Sequence, residues 1–213
     1  MSVLPQTLRW SDREFYLLDQ TKLPQEVIEE KQETVEQVWD SIVQLKVRGA
    51  PAIGVAGAYG LLVAIKKKTA LNKTDFLKEL EAKADFLGSA RPTAVNLKWA
   101  LDRMVKSANA FSGDDSTAMY RYLEEEAAHI HEEDIQLCLK MGINGEPLIK
   151  EGMGVMTHCN AGALATTGIG TATAPMYLAH QNGVQFRVYS NETRPLLQGA
   201  RLTSWELQQS GLD

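Results

Sequence analysis

The spacing of hydrophobic positions changes character along this chain. At the start, Thr7-Leu-Arg-Trp10 and Glu14-Phe-Tyr-Leu-Leu-Asp19 flank Ser11-Asp12-Arg13. Two short β-prone runs around a polar turn predict a hairpin at the edge of a small antiparallel sheet, ended by Leu23-Pro24. From Thr34 the spacing becomes helical: Val35, Val38, Trp39, Ile42 and Leu45 fall on one face behind a capping threonine. Gly49 is expected to close that helix, and Pro51 to lie in the first turn of the next. A third helix is predicted over 74–87, with Phe76, Leu77, Leu80, Ala84 and Leu87 inward. A fourth is predicted from the Arg91-Pro92 step to about Asn109, and a long fifth over 116–141. The most apolar run, 50–65, contains three glycines. It is shorter than the roughly 20 residues of a membrane span and is expected to be a buried helix.

Beyond Asn144-Gly145-Glu-Pro147 strand and helix alternate. A strand is predicted over 154–158, a helix over 171–182, a turn at Asn182-Gly183 and a strand over 184–190. That is a βαβ unit, which starts a parallel sheet and places ligands at the strand C-terminal ends. Both strands are nearly continuous in hydrophobicity, which predicts burial on both faces. A last helix over 196–209 carries Gln198, Arg201 and Trp205. The predicted fold class is α/β, with a strand-plus-helix domain over 1–145 and an incomplete parallel-sheet domain over 146–213.

Composition narrows the function classes. The 213 residues carry 22 basic and 27 acidic side chains, a net charge of −5. That argues against a nucleic-acid surface as the main business while allowing a local basic pocket. Two cysteines, Cys138 and Cys159, make no disulfide framework, so a reducing cytoplasm is expected. The first residues show no basic region followed by an apolar core, so no signal peptide is read. His129 and His131 are two residues apart on a predicted helix, about 200° of rotation. They are expected on a solvated acidic face and not on a shared metal.

The chemistry concentrates between Met156 and Pro175. Cys159 stands where a strand ends and a loop of Gly, Ala, Thr and Asn begins, before a helix. Backbone N–H groups left free in such a loop bind anions, and a thiol beside them can have a lowered pKa. Most lone cysteines are simply buried and inert, so position alone makes Cys159 a candidate. No lysine follows Gly168, which excludes a P-loop, and Gly168-Ile-Gly170-Thr-Ala-Thr173 lacks the third small residue of a dinucleotide fingerprint. Two arginines, Arg48 and Arg91, each follow a helix stop and precede a proline. Either could hold a phosphate in a bidentate fork, or pair with a nearby carboxylate or carbonyl. Their repetition suggests one shared anionic ligand. Lys66-Lys-Lys68 suits a solvated helix terminus.

Four runs together carry a family resemblance: Lys46-Val-Arg-Gly-Ala-Pro-Ala-Ile-Gly54, Arg91-Pro-Thr-Ala-Val-Asn-Leu97, Cys159-Asn-Ala-Gly162 and Glu192-Thr-Arg-Pro-Leu-Leu-Gln-Gly-Ala-Arg-Leu-Thr-Ser-Trp-Glu-Leu207. The chain resembles the methylthioribose-1-phosphate isomerases of methionine salvage. Their superfamily also holds ribose-1,5-bisphosphate isomerases and regulatory subunits of a translation-factor exchange complex. The resemblance implies a Rossmann-like C-terminal domain, a cytoplasmic homodimer, no metal and no nucleotide cofactor. It implies an aldose–ketose isomerisation of 5-methylthioribose 1-phosphate, with Cys159 as an acid–base residue. Arg48, Gly49, Ala50, Arg91 and Gln198 are implied as substrate contacts. The family's second catalytic residue, an aspartate in a Gly-Ala-Asp-Arg motif, and a following lysine have no counterpart in this sequence. The expectation is therefore a fragment or a truncated chain, with the sheet cut after two strands.

Overall fold

The computed structural model describes residues 6–212; the extreme N-terminal stretch, read above for a leader, lies largely outside them. The hairpin is present as β1 (Leu8–Ser11) and β2 (Glu14–Leu18), paired antiparallel with Leu8 opposite Leu17. A third strand, β3 (Glu29–Gln32), pairs with the other side of β2, so β2 is central and not at the edge. Its sequence, Glu-Glu-Lys-Gln, carries no hydrophobic signal. The strand is held by backbone pairing and by Lys31–Glu14 and Lys46–Glu30 ion pairs.

Five helices follow. α1 (Val35–Val43) starts in a capping box: the Thr34 hydroxyl accepts from the Gln37 amide, and the Gln37 side chain accepts from the Thr34 amide. It stops two residues short of expectation, because Leu45 takes a left-handed φ of 62°. Gly49 does not close α1. Its φ of 87° makes it the N-cap of α2 (Ala50–Ile65), with Pro51 in the first turn as predicted.

α2 is the axis of the molecule. Twelve of its sixteen residues are buried, so a helix apolar enough to cross a membrane lies inside the protein instead. Around it pack α3 (Lys73–Gly88), α4 (Val95–Ala110) and the first half of α5 (Ser116–Gly145). Glycines allow the close approach. A Cβ on Gly54 would lie 3.0 Å from the Asn96 carbonyl, and one on Gly57 2.6 Å from Leu97. Early residues of α2 thus meet early residues of α4, and the two helix N-termini lie side by side. α4 begins at Val95 and not at Pro92; residues 91–94 form a turn in which the Ala94 amide donates to the Arg91 carbonyl.

After a short 3-10 turn, β4 (Gly154–His158) leads into the glycine loop, α6 (Ala174–Gln181) and β5 (Arg187–Asn191). β4 and β5 pair in parallel, with Gly154 opposite Arg187 and His158 opposite Asn191. The βαβ unit is there, but its strands are not buried. Met156 is 65% and Tyr189 50% exposed, because among the described residues this sheet has only two strands. β5 starts three residues later than its hydrophobic run suggests. The expected last helix divides into a π-helical turn, Gly199–Thr203, and α7 (Ser204–Gln209).

The second half of α5 reaches across to this unit. A Cβ on Gly142 or Gly145 would collide with Leu178 or Pro175 of α6. A further link is Arg201, whose guanidinium donates to the carbonyls of Gln20, Thr21, Leu23 and Leu196.

Candidate active site at the end of the first parallel strand

Cys159 is the first residue past β4, half-buried, with φ at 61°. A left-handed cysteine is uncommon, and such a residue persists only where its neighbours fix it. Here they do. The Thr203 hydroxyl donates to the Cys159 carbonyl at 2.5 Å, and the Asn160 amide nitrogen donates to the same hydroxyl oxygen at 3.1 Å. The turn before α7 therefore clamps the strand end. Arg48 approaches from the other side and donates to Asn160 Oδ1.

Gly49 explains how Arg48 gets there. A Cβ at residue 49 would sit 2.3 Å from the Ala165 carbonyl oxygen, so only glycine lets the α2 N-terminus press against the loop. Burial lowers the Arg48 pKa, while the charges of Cys159 and Glu206 oppose that shift. Both groups are thus within electrostatic reach of the guanidinium.

A cavity of about 140 Å³ opens beside this arginine, lined by Gln20, Leu45, Arg48, Leu196, Gln198 and Leu202 among others. Three buried polar atoms have no hydrogen-bond partner there: Arg48 Nε, Gln198 Oε1 and Gln20 Oε1. Orphaned buried polar atoms are costly, and three around one cavity mark a place for a polar ligand. Larger depressions exist, including a lysine-lined groove of about 440 Å³ at the end of α2, but that groove contains none of the candidate catalytic or substrate-contact residues.

Arg48 and Gln198 line one cavity, Gly49 follows Arg48 at the start of α2, and Cys159 lies within electrostatic reach of Arg48 without lining that cavity. Ala50, exposed, opens α2 beside them. Arg91 is different: it lines a separate depression with Glu81, Asp85, Lys98 and Asp102, although the side-by-side N-termini of α2 and α4 bring both arginine segments to one end of the helix pair. The expected cradle of free loop amides is largely spent. The amide of Leu164 donates to Glu206, that of Thr167 to Asp134, those of Gly168 and Gly170 to the Thr166 hydroxyl, and that of Thr171 to the Ala161 carbonyl.

Sequence reasoning missed two groups. Glu206 is fully buried beneath the loop, and burial pushes its carboxyl up to about 7 against donors from Leu164, Asn160 and Tyr177. Its only sequence signal is a charge inside an otherwise amphipathic run. His131 is not on a solvated face: its Nδ1 is 2.9 Å from the Tyr59 hydroxyl, and burial lowers its pKa. His129 is exposed, as expected. No cluster of three or more His, Cys, Asp or Glu able to hold a metal is found among the described residues.

A helical body with a small antiparallel sheet, joined to a parallel βαβ unit that carries a clamped thiol beside a half-buried arginine, defines an α/β protein with a candidate polar-ligand site at a strand end. The chain belongs to the Initiation factor 2 subunit family, whose profile matches residues 46–213. It is 49% identical over 206 residues to a 5-deoxyribose 1-phosphate isomerase of Bacillus thuringiensis, covering 97% of this chain and 59% of that protein. Its fold matches the crystal structure of 5-methylthioribose 1-phosphate isomerase from Pyrococcus horikoshii, with a TM-score of 0.93 and 40% identity. That match covers 99% of this chain and 59% of the other. The structure of a translation initiation factor eIF-2B delta subunit from A. fulgidus is also similar, with a TM-score of 0.89, 40% identity, and coverage of 98% and 60%. The chain thus spans about 59% of the length of such relatives.

Proposed function

We propose that this chain carries the thiol and the phosphate anchor of an aldose–ketose isomerase acting on a ribose 1-phosphate modified at C5. The observation that carries the proposal is the juxtaposition of Cys159, clamped in a left-handed conformation, with Arg48 and its ring of unpartnered polar atoms. The relatives named as 5-deoxyribose and 5-methylthioribose 1-phosphate isomerases support it.

The chemistry follows from the substrate class. A phosphate on C1 blocks simple opening of the sugar to a free aldehyde, so ring opening and hydrogen transfer between C2 and C1 need an acid and a base at fixed positions. Each such group contributes roughly 10²–10⁴-fold. Arg48 would hold the phosphate by charge-assisted bonds, and Gln198 would orient a sugar hydroxyl. The thiol of Cys159 would give or take the proton at the reacting carbons. Leu45, Leu196 and Leu202 around the cavity suit a methyl or methylthio group at C5 better than a second phosphate. This supports a role in methionine salvage or 5-deoxypentose salvage over a bisphosphate isomerase. Arg91 is proposed as a second anchor, reached from the same end of the helix pair. A cytoplasmic homodimer remains part of the proposal.

The test measures binding and turnover separately. Calorimetry with 5-methylthioribose 1-phosphate and 5-deoxyribose 1-phosphate should show binding that Arg48→Ala weakens by roughly 1.5–3 kcal/mol, about 10- to 150-fold. In a full-length homologue carrying this N-terminal part, Cys159→Ser should keep that binding and lose most ketose formation, followed by NMR. Unchanged affinity in Arg48→Ala, or unchanged turnover in Cys159→Ser, would sink the assignment. Binding with no turnover in that full-length homologue would favour the other class among the relatives, a regulator resembling the initiation-factor subunit.

A further inference from the structure

Gln20 lines the cavity beside Arg48, and the proposed chemistry leaves it without a role. It stands two residues past β2 and is 1% exposed. Its backbone amide donates to the Lys46 carbonyl at 2.9 Å, and its carbonyl accepts from the Arg201 guanidinium at 3.1 Å. Asp19 Oδ1 accepts from both the amide and the hydroxyl of Thr21, which fixes the chain on either side. The side chain is fixed too, because Nε2 donates to the Leu164 carbonyl at 2.7 Å. Leu164 belongs to the short turn Ala163–Ala165 that also presses on Gly49, next to Arg48.

The bond to Leu164 decides which way the carboxamide faces. Turned over, it would set Oε1 against the Leu164 carbonyl, acceptor against acceptor. Oε1 is therefore an acceptor, it is buried, and it has no donor among the described residues. Gln198 Oε1 on the same cavity is a second buried acceptor in that state, and Arg48 Nε is a donor without an acceptor. One cationic donor and two neutral acceptors define their complement: an anionic group for Arg48 and two hydrogen-bond donors for the glutamines. A phosphate dianion has no proton to give an amide oxygen, and an apolar group would leave both oxygens unpaired. Hydroxyl groups satisfy them.

We propose that Gln20 is a specificity-determining residue that accepts a hydrogen bond from a ring hydroxyl of the sugar, at C2 or C3, and that with Gln198 it makes the site a receptor for a vicinal diol beside a phosphate. This rests on the sugar-phosphate reading of the site and adds the part of the sugar that is recognised. Gln20 binds and orients; it moves no proton. Its fixed oxygen turns the phosphate away from itself and toward Arg48, so the two residues set the direction in which the ligand lies. A 5-deoxy sugar keeps the diol and is accepted. A sugar lacking the C2 or C3 hydroxyl leaves a buried acceptor unpaired and is rejected.

The experiment is calorimetry of the full chain with ribose 1-phosphate, 2-deoxyribose 1-phosphate and 3-deoxyribose 1-phosphate, repeated in Gln20→Met, which keeps the side-chain length and removes the carboxamide. The unmodified chain should bind ribose 1-phosphate about tenfold or more tightly than either deoxy probe. Gln20→Met should abolish one of those two preferences and keep the other, which belongs to Gln198. Equal affinity for all three probes in the unmodified chain, as expected if solvent alone answers Oε1, overturns the proposal, and so does a failure of ribose 1-phosphate to bind. A Gln20→Met that weakens all three probes alike, with both preferences intact, also overturns it, because that is loss of packing alone. If Gln20→Met fails to fold, NMR of the Gln20 carboxamide in the unmodified chain replaces it. That signal should shift on adding ribose 1-phosphate and stay in place with one of the deoxy probes; a signal that ignores ribose 1-phosphate, or answers all three alike, overturns the proposal. Loss of one preference in Gln20→Met with unchanged affinity in Arg48→Ala would leave the hydroxyl contact standing and remove the phosphate anchor. The reverse combination would keep the anchor and remove the role of Gln20.

Discussion

Gly49 and Glu206 show what single residues do here. Gly49 combines a φ of 87° with backbone contact to Ala165, so Gly49→Ala adds both conformational strain and a steric clash. The expected cost is roughly 1–3 kcal/mol for each cause, read by urea denaturation, with loss of sugar-phosphate binding because Arg48 moves with it. Glu206 makes stability depend on pH. Its carboxyl is raised from 4.5 to about 7 by burial, so the folded state binds more protons than the unfolded state between those values. Its favourable contribution is complete below pH 4.5 and is lost as pH rises through about 7. Relative to the unmodified chain, Glu206→Gln should therefore gain stability with rising pH, by on the order of 3 kcal/mol between pH 4.5 and 8. A stability difference that stays constant across that range would contradict the burial of an ionisable group.

Elements were legible where a local signal was strong. Thr34 announces α1, and in the structure its reciprocal bonds with Gln37 complete the cap. Thr34→Ala should cost about 1 kcal/mol, measured by thermal or urea unfolding. α2 was legible as buried from its apolar run, but its neighbours were not. Gly57 exists because Leu97 lies 2.6 Å from where a Cβ would be. Gly57→Val should overpack that contact and cost roughly 1–3 kcal/mol or more, whereas helix propensity alone would favour valine over glycine. β3 was invisible, because four polar residues carry no period-2 pattern; only the exposed backbone of β2 could recruit them. β4 and β5 were legible as strands, but their burial was overestimated, since hydrophobicity reports a preference and not whether a cover is present.

At the scale of the whole molecule, α5 and Arg201 tie the parts together. The first half of α5 belongs to the large core, and its second half packs beneath α6. Arg201 reaches four backbone carbonyls, three of them in the N-terminal part. A division at 145/146 remains a proposal, and limited proteolysis around Pro147 checks it. Arg201→Ala should leave part-buried carbonyls of Gln20 and Leu23 without this donor and cost roughly 1.5–3 kcal/mol. The measurement is thermal unfolding followed by hydrogen exchange at two sets of amides, those of α2 in the large core and those of α6 packed with Ile149 and Leu207. The two signals should coincide in the unmodified chain and separate in Arg201→Ala.

The sequence by itself determined the order of the helices and of every strand but β3, the α/β class, the threonine cap of α1, the burial of α2 and most of the residues worth following. These depend on local spacing and local chemistry, which a chain carries in its own order. The tertiary structure decided which of those residues meet. Arg48 finds Asn160 across 112 positions, and Glu206 finds Leu164 across 42. It also decided that the loop amides are mostly spent internally, that His131 is held by Tyr59, and that a carboxylate stands under Gly162. Hydrogen bonding, steric exclusion and the electrostatic cost of burial act between groups close in space, and proximity between distant positions exists only once the chain has folded.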